Sequence, residues 1–521
     1  MNIFTTVTPP FRKDPLSWQL VLWGLIGLKF FIQYLVIHPD FDLHRDEYLH
    51  LDQANHLAWG YQSVPPFTSW VSWLIRELGN TEFWVKFFPA LFGAGTLWVV
   101  WEIIRVTGGG LYARVLGVVC VLFSALIRIN LLYQPNSFDV LGWVTAYYLL
   151  LRYIDSQHPK WIYGFALTIA LSFLNKYNIL FLVMGLIPAT LLTDARRLWS
   201  DKHLYFAILM ALLLISPNLW WQYANDFPVL RHMKELSERQ LVNVDRKDFV
   251  IGQVLFFLGA VPVIVAGLAA LLVYQPFRNY QIFFWSFFIT LFIFLYLRAK
   301  NYYAIGLYPF YIAMGATALE TYSSRGWRKY LRPLLIALPL MYFGLVYDPL
   351  FPHKTPQQMV EQPDRYRKFG LLRWEDGQDH HMPQDFADML GWKEMAQRVD
   401  SLYRLSPQPR QTLVICDNYG QAGAVNYYTR EAVRAVSFNA DYIHWFDLSQ
   451  PYIHVIRVIN SREKIQEIEA LSPFFERTVI DSLRHPYARE SGAAIVGFYN
   501  AKVDVNAVLE KEIQAVLETH R

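Results

Sequence analysis

The stretch Leu20-Val21-Leu22-Trp23-Gly24-Leu25-Ile26-Gly27-Leu28-Lys29-Phe30-Phe31-Ile32-Gln33-Tyr34-Leu35-Val36-Ile37 is followed at once by His38-Pro39-Asp40-Phe41-Asp42-Leu43-His44-Arg45-Asp46-Glu47-Tyr48. With Trp18 and Gln19 before it, the first part is a run over 18–37 long and apolar enough for a helix to cross a bilayer, which takes about 20 residues. The second is a dense ionisable cluster at the end of that helix. An adjacent Asp-Glu pair close to lipid is costly unless it is solvated, paired or used. The junction is therefore either a solvated loop start with an internal Arg45 pair or a site where a carboxylate takes a proton from an attacking hydroxyl.

Ten more apolar runs follow, near 83–104, 111–128, 138–154, 161–174, 177–193, 203–221, 249–274, 280–297, 302–319 and 331–348. They predict a mainly α polytopic membrane protein with about 11 transmembrane helices in residues 1–350. The composition agrees, because 54% hydrophobic residues with only 17% charged is far from a soluble average. A net charge of +4, with no basic run interleaved with aromatics, argues for no nucleic acid partner. Cys120 and Cys416 have no metal-ligand spacing and cannot build a disulfide framework. The segment before Trp18 is polar, and the run after it lacks a small-residue cleavage site, so the first helix is expected to be a retained anchor.

Lysine and arginine placement orients the chain. With the N-terminus cytoplasmic, fourteen fall in cytoplasmic segments, among them Arg12, Lys13, Arg196, Arg197, Arg328 and Lys329. The short loops opposite hold four, Arg128, Lys176, Arg298 and Lys300, and twelve are on that side when the two longer loops are counted. This orientation makes 38–82 a large first outside loop, 222–248 a second, and 353–521 an extracytoplasmic domain. That domain reads as α/β: Thr412 to Cys416, Tyr452 to Ile459 and Ala493 to Tyr499 are of strand length and β-branched, while Trp392 to Leu405 and Val503 to Leu517 have helical spacing. Leu57 to Tyr61, then Val64-Pro65-Pro66-Phe67 through Trp70 and Trp73, fits interfacial helices or a plain aromatic belt.

Three further constellations carry chemistry. Tyr133-Gln134-Pro135-Asn136-Ser137-Phe138-Asp139 puts a second carboxylate at the start of the fourth span, either as a site acid or as a helix N-terminal acid capped by Asn136 or Ser137. Lys176-Tyr177 and Arg298-Ala299-Lys300-Asn301-Tyr302-Tyr303 place cations in tight outside loops against the general charge trend. A phosphate on a lipid carrier would account for them, and so would snorkelling toward Asp46, Glu47 or Asp139.

The series Arg45-Asp46-Glu47-Tyr48, Trp59-Gly60-Tyr61, Pro65-Pro66-Phe67, Glu82-Phe83-Trp84-Val85-Lys86-Phe87-Phe88-Pro89-Ala90 and Gly93 resembles glycosyltransferase family 39, the protein O-mannosyltransferase-like group that includes the lipid A aminoarabinose transferases. The likeness runs on through Gln134 to Asp139, Leu174-Asn175-Lys176-Tyr177 and Lys300-Asn301-Tyr302-Tyr303 to Tyr308-Pro309, about residues 18 to 350. The resemblance implies a GT-C fold with an acidic site at the outer face, a polyprenyl-phosphate sugar donor and usually inversion at the anomeric carbon. It makes Asp46 the catalytic acid of the first loop, Glu47 its neighbour and Asp139 the second acidic position. Some family members carry a lysine just before the paired prolines, where this chain has Ser63-Val64, so Lys176, Arg298 and Lys300 are the candidate phosphate partners.

The expectation is thus a membrane glycosyltransferase of the bacterial inner membrane, with a C-terminal α/β soluble domain at 353–521 and the active site on the extracytoplasmic side. It would move a hexosyl or pentosyl group from a polyprenyl-phosphate donor to a lipid, glycan or protein hydroxyl, in contact with membrane lipids. Asp46, Glu47 and Asp139 are the catalytic candidates, and Arg45, Lys176, Tyr177, Arg298, Lys300, Tyr302 and Tyr303 the substrate-binding ones. The phosphate leaving group requires no metal, although three carboxylates would accept Mg²⁺ or Mn²⁺. The rival readings are a transporter or flippase of a lipid-linked glycan, whose polar sites would lie nearer the bilayer midplane, and a sensor whose soluble domain is the working part.

Overall fold

The computed structural model describes residues 15–239 and 245–519. Arg12 and Lys13, which enter the orientation argument, and residues 240–244 of the second loop lie outside the described residues. Contacts divide the chain into a helical unit, 15–35, 64–67 and 85–350, and a second unit, 36–63, 68–84 and 351–519.

Each of the eleven apolar runs coincides with helix in the first unit. Among the described residues, five helices pass for a membrane span by length and composition: Leu16–Leu35, Glu82–Val106, Lys202–Ala224, Gln275–Tyr296 and Gly326–Leu350. Two bent pairs bring the number to seven, Ile179–Leu191 with Asp194–Ser200 at 105° and Arg246–Leu255 with Leu258–Val273 at 65°. The remaining runs give shorter helices or ones with more polar residues, such as Leu111–Leu122, Pro159–Asn175 and Tyr308–Tyr322. Small residues bring helices together. A Cβ added to Gly315 would run into the Val263 carbonyl oxygen, so Tyr308–Tyr322 and Val261–Val273 meet backbone to backbone.

The second unit is built on a five-stranded mixed sheet, order β2-β1-β3-β5-β4, with β1 Thr412–Cys416, β2 Ala435–Ser437, β3 His454–Ile459, β4 Phe475–Ser482 and β5 Ala494–Ala501. β1 pairs parallel with both β2 and β3, while β5 runs antiparallel to β3 and β4. Three strands and the helices Trp392–Arg404 and Val505–Thr519 lie where the spacing predicts them. Two strands do not announce themselves. β2 has only three residues, and β4, at the sheet edge, mixes Glu476, Arg477, Thr478 and Asp481 among its apolar positions. The short helix Tyr419–Tyr428, with two glycines, is also unheralded. It forms because Asn418 caps it, accepting from the Gln421 N–H at 3.1 Å, and because it packs on the first-loop helix Arg45–Asp52.

The first loop, read from sequence as part of the 1–350 segment, is therefore built largely into the second unit. The reason lies in its polar groups. Asp42 accepts from the Trp392 N–H at 2.9 Å and from the Lys393 N–H at 3.2 Å, capping Trp392–Arg404. Asp52 accepts from the Tyr442 hydroxyl and from Asn426 Nδ2, both at 2.7 Å. These carboxylates are buried, and a buried charge persists only with such partners.

Candidate active site

The ionisable cluster of the first loop is a helix N-terminus. His44 is its cap: His44 Nδ1 accepts from the Asp46 N–H at 3.2 Å, and the His44 N–H donates to Glu47 Oε2 at 2.6 Å. This reciprocal box satisfies two helix-end donors and sets two carboxylates against the positive end of the helix dipole. Glu47 is fully buried and engaged in that cap. Asp46, one residue earlier, is partly buried and accepts from the Tyr419 hydroxyl at 2.7 Å.

Arg45 lies with its guanidinium 4.4 Å from the centre of the Tyr419 ring. The Arg45 backbone N–H donates to the Asp388 carbonyl at 3.0 Å. The Asp388 carboxylate is held by Arg489 at 3.1 Å and faces His44 Nε2 at 3.9 Å. Burial works to raise the Asp46 pKa, but neighbouring His44, the Tyr419 hydrogen bond, Arg45 and His50 together hold it below the ordinary carboxylate range. Burial and the neighbouring Asp46 push the Tyr419 phenol up, so it is a hydrogen-bond donor at any physiological pH.

In the helical unit, Asp139 lies in the first turn of Asn136–Ser156, with Pro135 at the cap position and no side-chain cap. The capping roles weighed for Asn136 and Ser137 are not realised. Asn136 Oδ1 instead accepts from Lys176 Nζ at 2.8 Å, and Ser137 donates to the Ile129 carbonyl at 3.1 Å. Both Asp139 oxygens are engaged, one by Trp143 Nε1 at 2.9 Å and the other by Asn178 Nδ2 at 2.8 Å. Asn178 also donates to the Tyr303 carbonyl at 2.9 Å, tying this helix to the 300–303 segment.

The Lys176 ammonium sits 4.5 Å from the Tyr303 ring centre and 5.4 Å from that of Tyr302. Burial lowers its pKa, with Asp139 opposing and Lys300 adding to the effect. Asp139, Lys176, Lys300, Tyr302 and Tyr303 thus form one electrostatic cluster. Two other candidates point elsewhere. The Tyr177 hydroxyl bonds Asn218 and Gln222, both at 3.0 Å. Arg298 is exposed at a left-handed backbone position, φ 53°, and among the described residues no hydrogen bond or ion pair joins it to this cluster.

Sequence reasoning missed two participants, Asn178 and Tyr419, and one buried cation elsewhere in the helical unit, Lys29. Asn178 lies beside a quoted motif and could have been flagged by proximity. Lys29 had a clear signal, a lysine inside an apolar run; it is buried, donating to Gln33 Oε1 at 2.8 Å, and Gln33 in turn donates to the Asn130 carbonyl. Tyr419 had none, lying 373 residues from Asp46. Among the described residues no group of three or more His, Cys, Asp or Glu is gathered as a metal site.

Comparison with known proteins agrees with this architecture. Residues 63–221 match the family model of dolichyl-phosphate-mannose-protein mannosyltransferases. Over 256 residues the chain is 25% identical to the lipid A galacturonosyltransferase RgtD of Rhizobium johnstonii, a match covering 46% of this chain and only half of that relative. The fold is like that of ArnT from Cupriavidus metallidurans. Against the structure bound to undecaprenyl phosphate the TM-score is 0.59 at 13% identity, covering 95% of this chain and 99% of that one. Against the apo state it is 0.60 at 14%, covering 92% and 98%.

Apolar helices, a motif-bearing first loop and a small C-terminal sheet domain define an integral membrane protein of the GT-C fold. Within that class, the match over 63–221 and the partial likeness to RgtD agree with the family 39 resemblance that the ordered motifs carry.

Proposed function

We propose that the protein transfers a sugar from a polyprenyl-phosphate donor to a hydroxyl of an envelope lipid, glycan or protein, with inversion. The acceptor oxygen bonds to the anomeric carbon as its proton passes to Asp46. The bond from that carbon to the phosphate oxygen breaks, and its electron pair leaves with the polyprenyl phosphate. Lys176 and Lys300 meet the developing phosphate charge, beside Tyr302 and Tyr303. Glu47 and Asp139 serve as positioning groups, the first through the His44 cap and the second through Asn178 and Trp143. The protein would work in a bacterial inner membrane with its site and C-terminal domain extracytoplasmic, and its helical unit would cross about eleven times.

The observation that carries this reading lies within the helical unit. An apolar recess of about 560 Å³, lined by Phe249, Val254, Ile264, Phe287 and Leu291, has Gln253 and Tyr308 among its few polar groups. Gln253 donates to the Asn301 carbonyl at 2.8 Å, next to Lys300. An apolar recess, one of whose lining residues bonds the segment that carries Lys300, suits a ligand with a hydrocarbon tail and an anionic head. The undecaprenyl phosphate bound in the ArnT structure supports the same donor class here.

The test is mass-spectrometric. Purified protein in liposomes is incubated with a panel of polyprenyl-phosphate sugars and an envelope extract, wild type beside Asp46→Asn. Consumption of one donor with release of polyprenyl phosphate by the wild type alone is the expected result. A folded wild type that consumes no donor across the panel would sink the transferase and bring forward glycan transport.

A further inference from the structure

We propose that Tyr419, in the same unit as the first loop, is the positioning residue of the Asp46 carboxylate, its hydroxyl orienting the base and its ring seating Arg45. The proposal rests on the reading of Asp46 as the base. Three observations converge. The Tyr419 hydroxyl donates to Asp46 Oδ1 at 2.7 Å. The Arg45 guanidinium lies 4.4 Å from the ring centre. A Cβ at Gly420 would collide with Arg45 Cγ, so the residue after Tyr419 must be glycine for Arg45 to lie flat there.

The turn that presents Tyr419 is itself held. It follows β1, the strand flanked on both sides by parallel partners, so it emerges at the carboxyl end where crossovers diverge and functional groups collect in open α/β sheets. Asn418 caps the helix and donates to Glu490 at 3.3 Å, and Gln421 Nε2 donates to Glu490 at 2.8 Å. A tyrosine on a fixed turn restricts the rotation of the carboxylate it bonds, which is what a base needs to meet a hydroxyl at hydrogen-bond distance. The groups acting on Asp46 are His44, Arg45 and His50 from its own helix and cap, Tyr419 from the helix after β1 in the same unit, and Asp388 as a like charge; Glu490 acts on Arg45.

The test uses Tyr419→Phe in the full chain. Loss of the hydroxyl removes a donor that favours the ionised form, so the acidic limb of the kcat/KM profile should move up by roughly one pH unit, with donor KM nearly unchanged. Independently of any activity, the Asp46 carboxylate band, assigned by difference from Asp46→Asn in pH-titrated infrared spectra, should shift in the same direction. Replacing Tyr419 by 3,5-difluorotyrosine, a stronger donor that keeps the shape, should shift the band the opposite way. An infrared titration unmoved by both replacements overturns the proposal. An inactive wild type whose Asp46 band still responds to Tyr419 keeps the positioning and sinks only the transferase reading.

Discussion

Gly423 lies so close to Tyr48 that a methyl group on its Cα would stand 2.8 Å from Tyr48 Cβ and 2.7 Å from the Tyr442 hydroxyl. The helix Tyr419–Tyr428 therefore meets the first-loop helix Arg45–Asp52 at the backbone, and Tyr48, itself fully buried, packs edge-on against Trp392 and Tyr428. Gly423→Ala should cost about 1–3 kcal/mol by overpacking. The measurement is thermal unfolding in detergent, and an unchanged midpoint would mean that the two helices separate easily.

Lys176 and Arg298 both entered as phosphate partners, yet only Lys176 is built into a cluster. Lys176→Ala should lower kcat/KM for the donor by roughly 10²-fold, the scale of losing one preorganised electrostatic group, whereas Arg298→Ala should stay within about twofold. Steady-state kinetics on the two variants decides this. Equal losses would restore Arg298 to the site.

The two Asp139 oxygens receive N–H groups from Trp143 and Asn178. Asp139→Leu orphans the indole N–H and should destabilise the protein by about 1–3 kcal/mol. In Asp139→Asn, the folded fraction should keep more than a tenth of wild-type turnover. Near-total loss of turnover with an unchanged melting curve would instead make Asp139 a reacting group.

Asp441 accepts from the Gln62 N–H at 2.7 Å and from Gln53 Nε2 at 3.0 Å, and burial pushes its pKa up from 3.8 to about 6. A carboxyl raised in the folded state favours the protonated form there, so its contribution to stability falls as pH rises from about 4 through 6. Asp441→Asn should gain on the wild type between pH 5 and pH 8, by a few degrees in Tm. A difference in Tm that is flat with pH would show that the carboxyl is not held neutral.

Much of the helical unit was legible because a bilayer imposes length and polarity on each crossing segment, so the eleven runs could be read locally. The span count was less so, since Leu111–Leu122 and the two bent pairs mix short and broken helices in which periodicity does not separate one crossing from two halves. Asp46, Lys176 and Lys300 were legible from residue type and motif order. Their partners were less accessible: Asn136 lies 40 residues from Lys176 and Asn178 lies 39 from Asp139.

The amino-acid sequence alone determined that the chain carries a bundle of apolar helices, an ionisable first loop and an α/β C-terminal segment, because hydropathy and side-chain period act over one element at a time. Tertiary structure decided that 36–63 and 68–84 complete the C-terminal unit and that Tyr419 holds Asp46. Those outcomes rest on buried polar groups finding partners hundreds of residues away, a requirement that leaves no periodic trace in either segment.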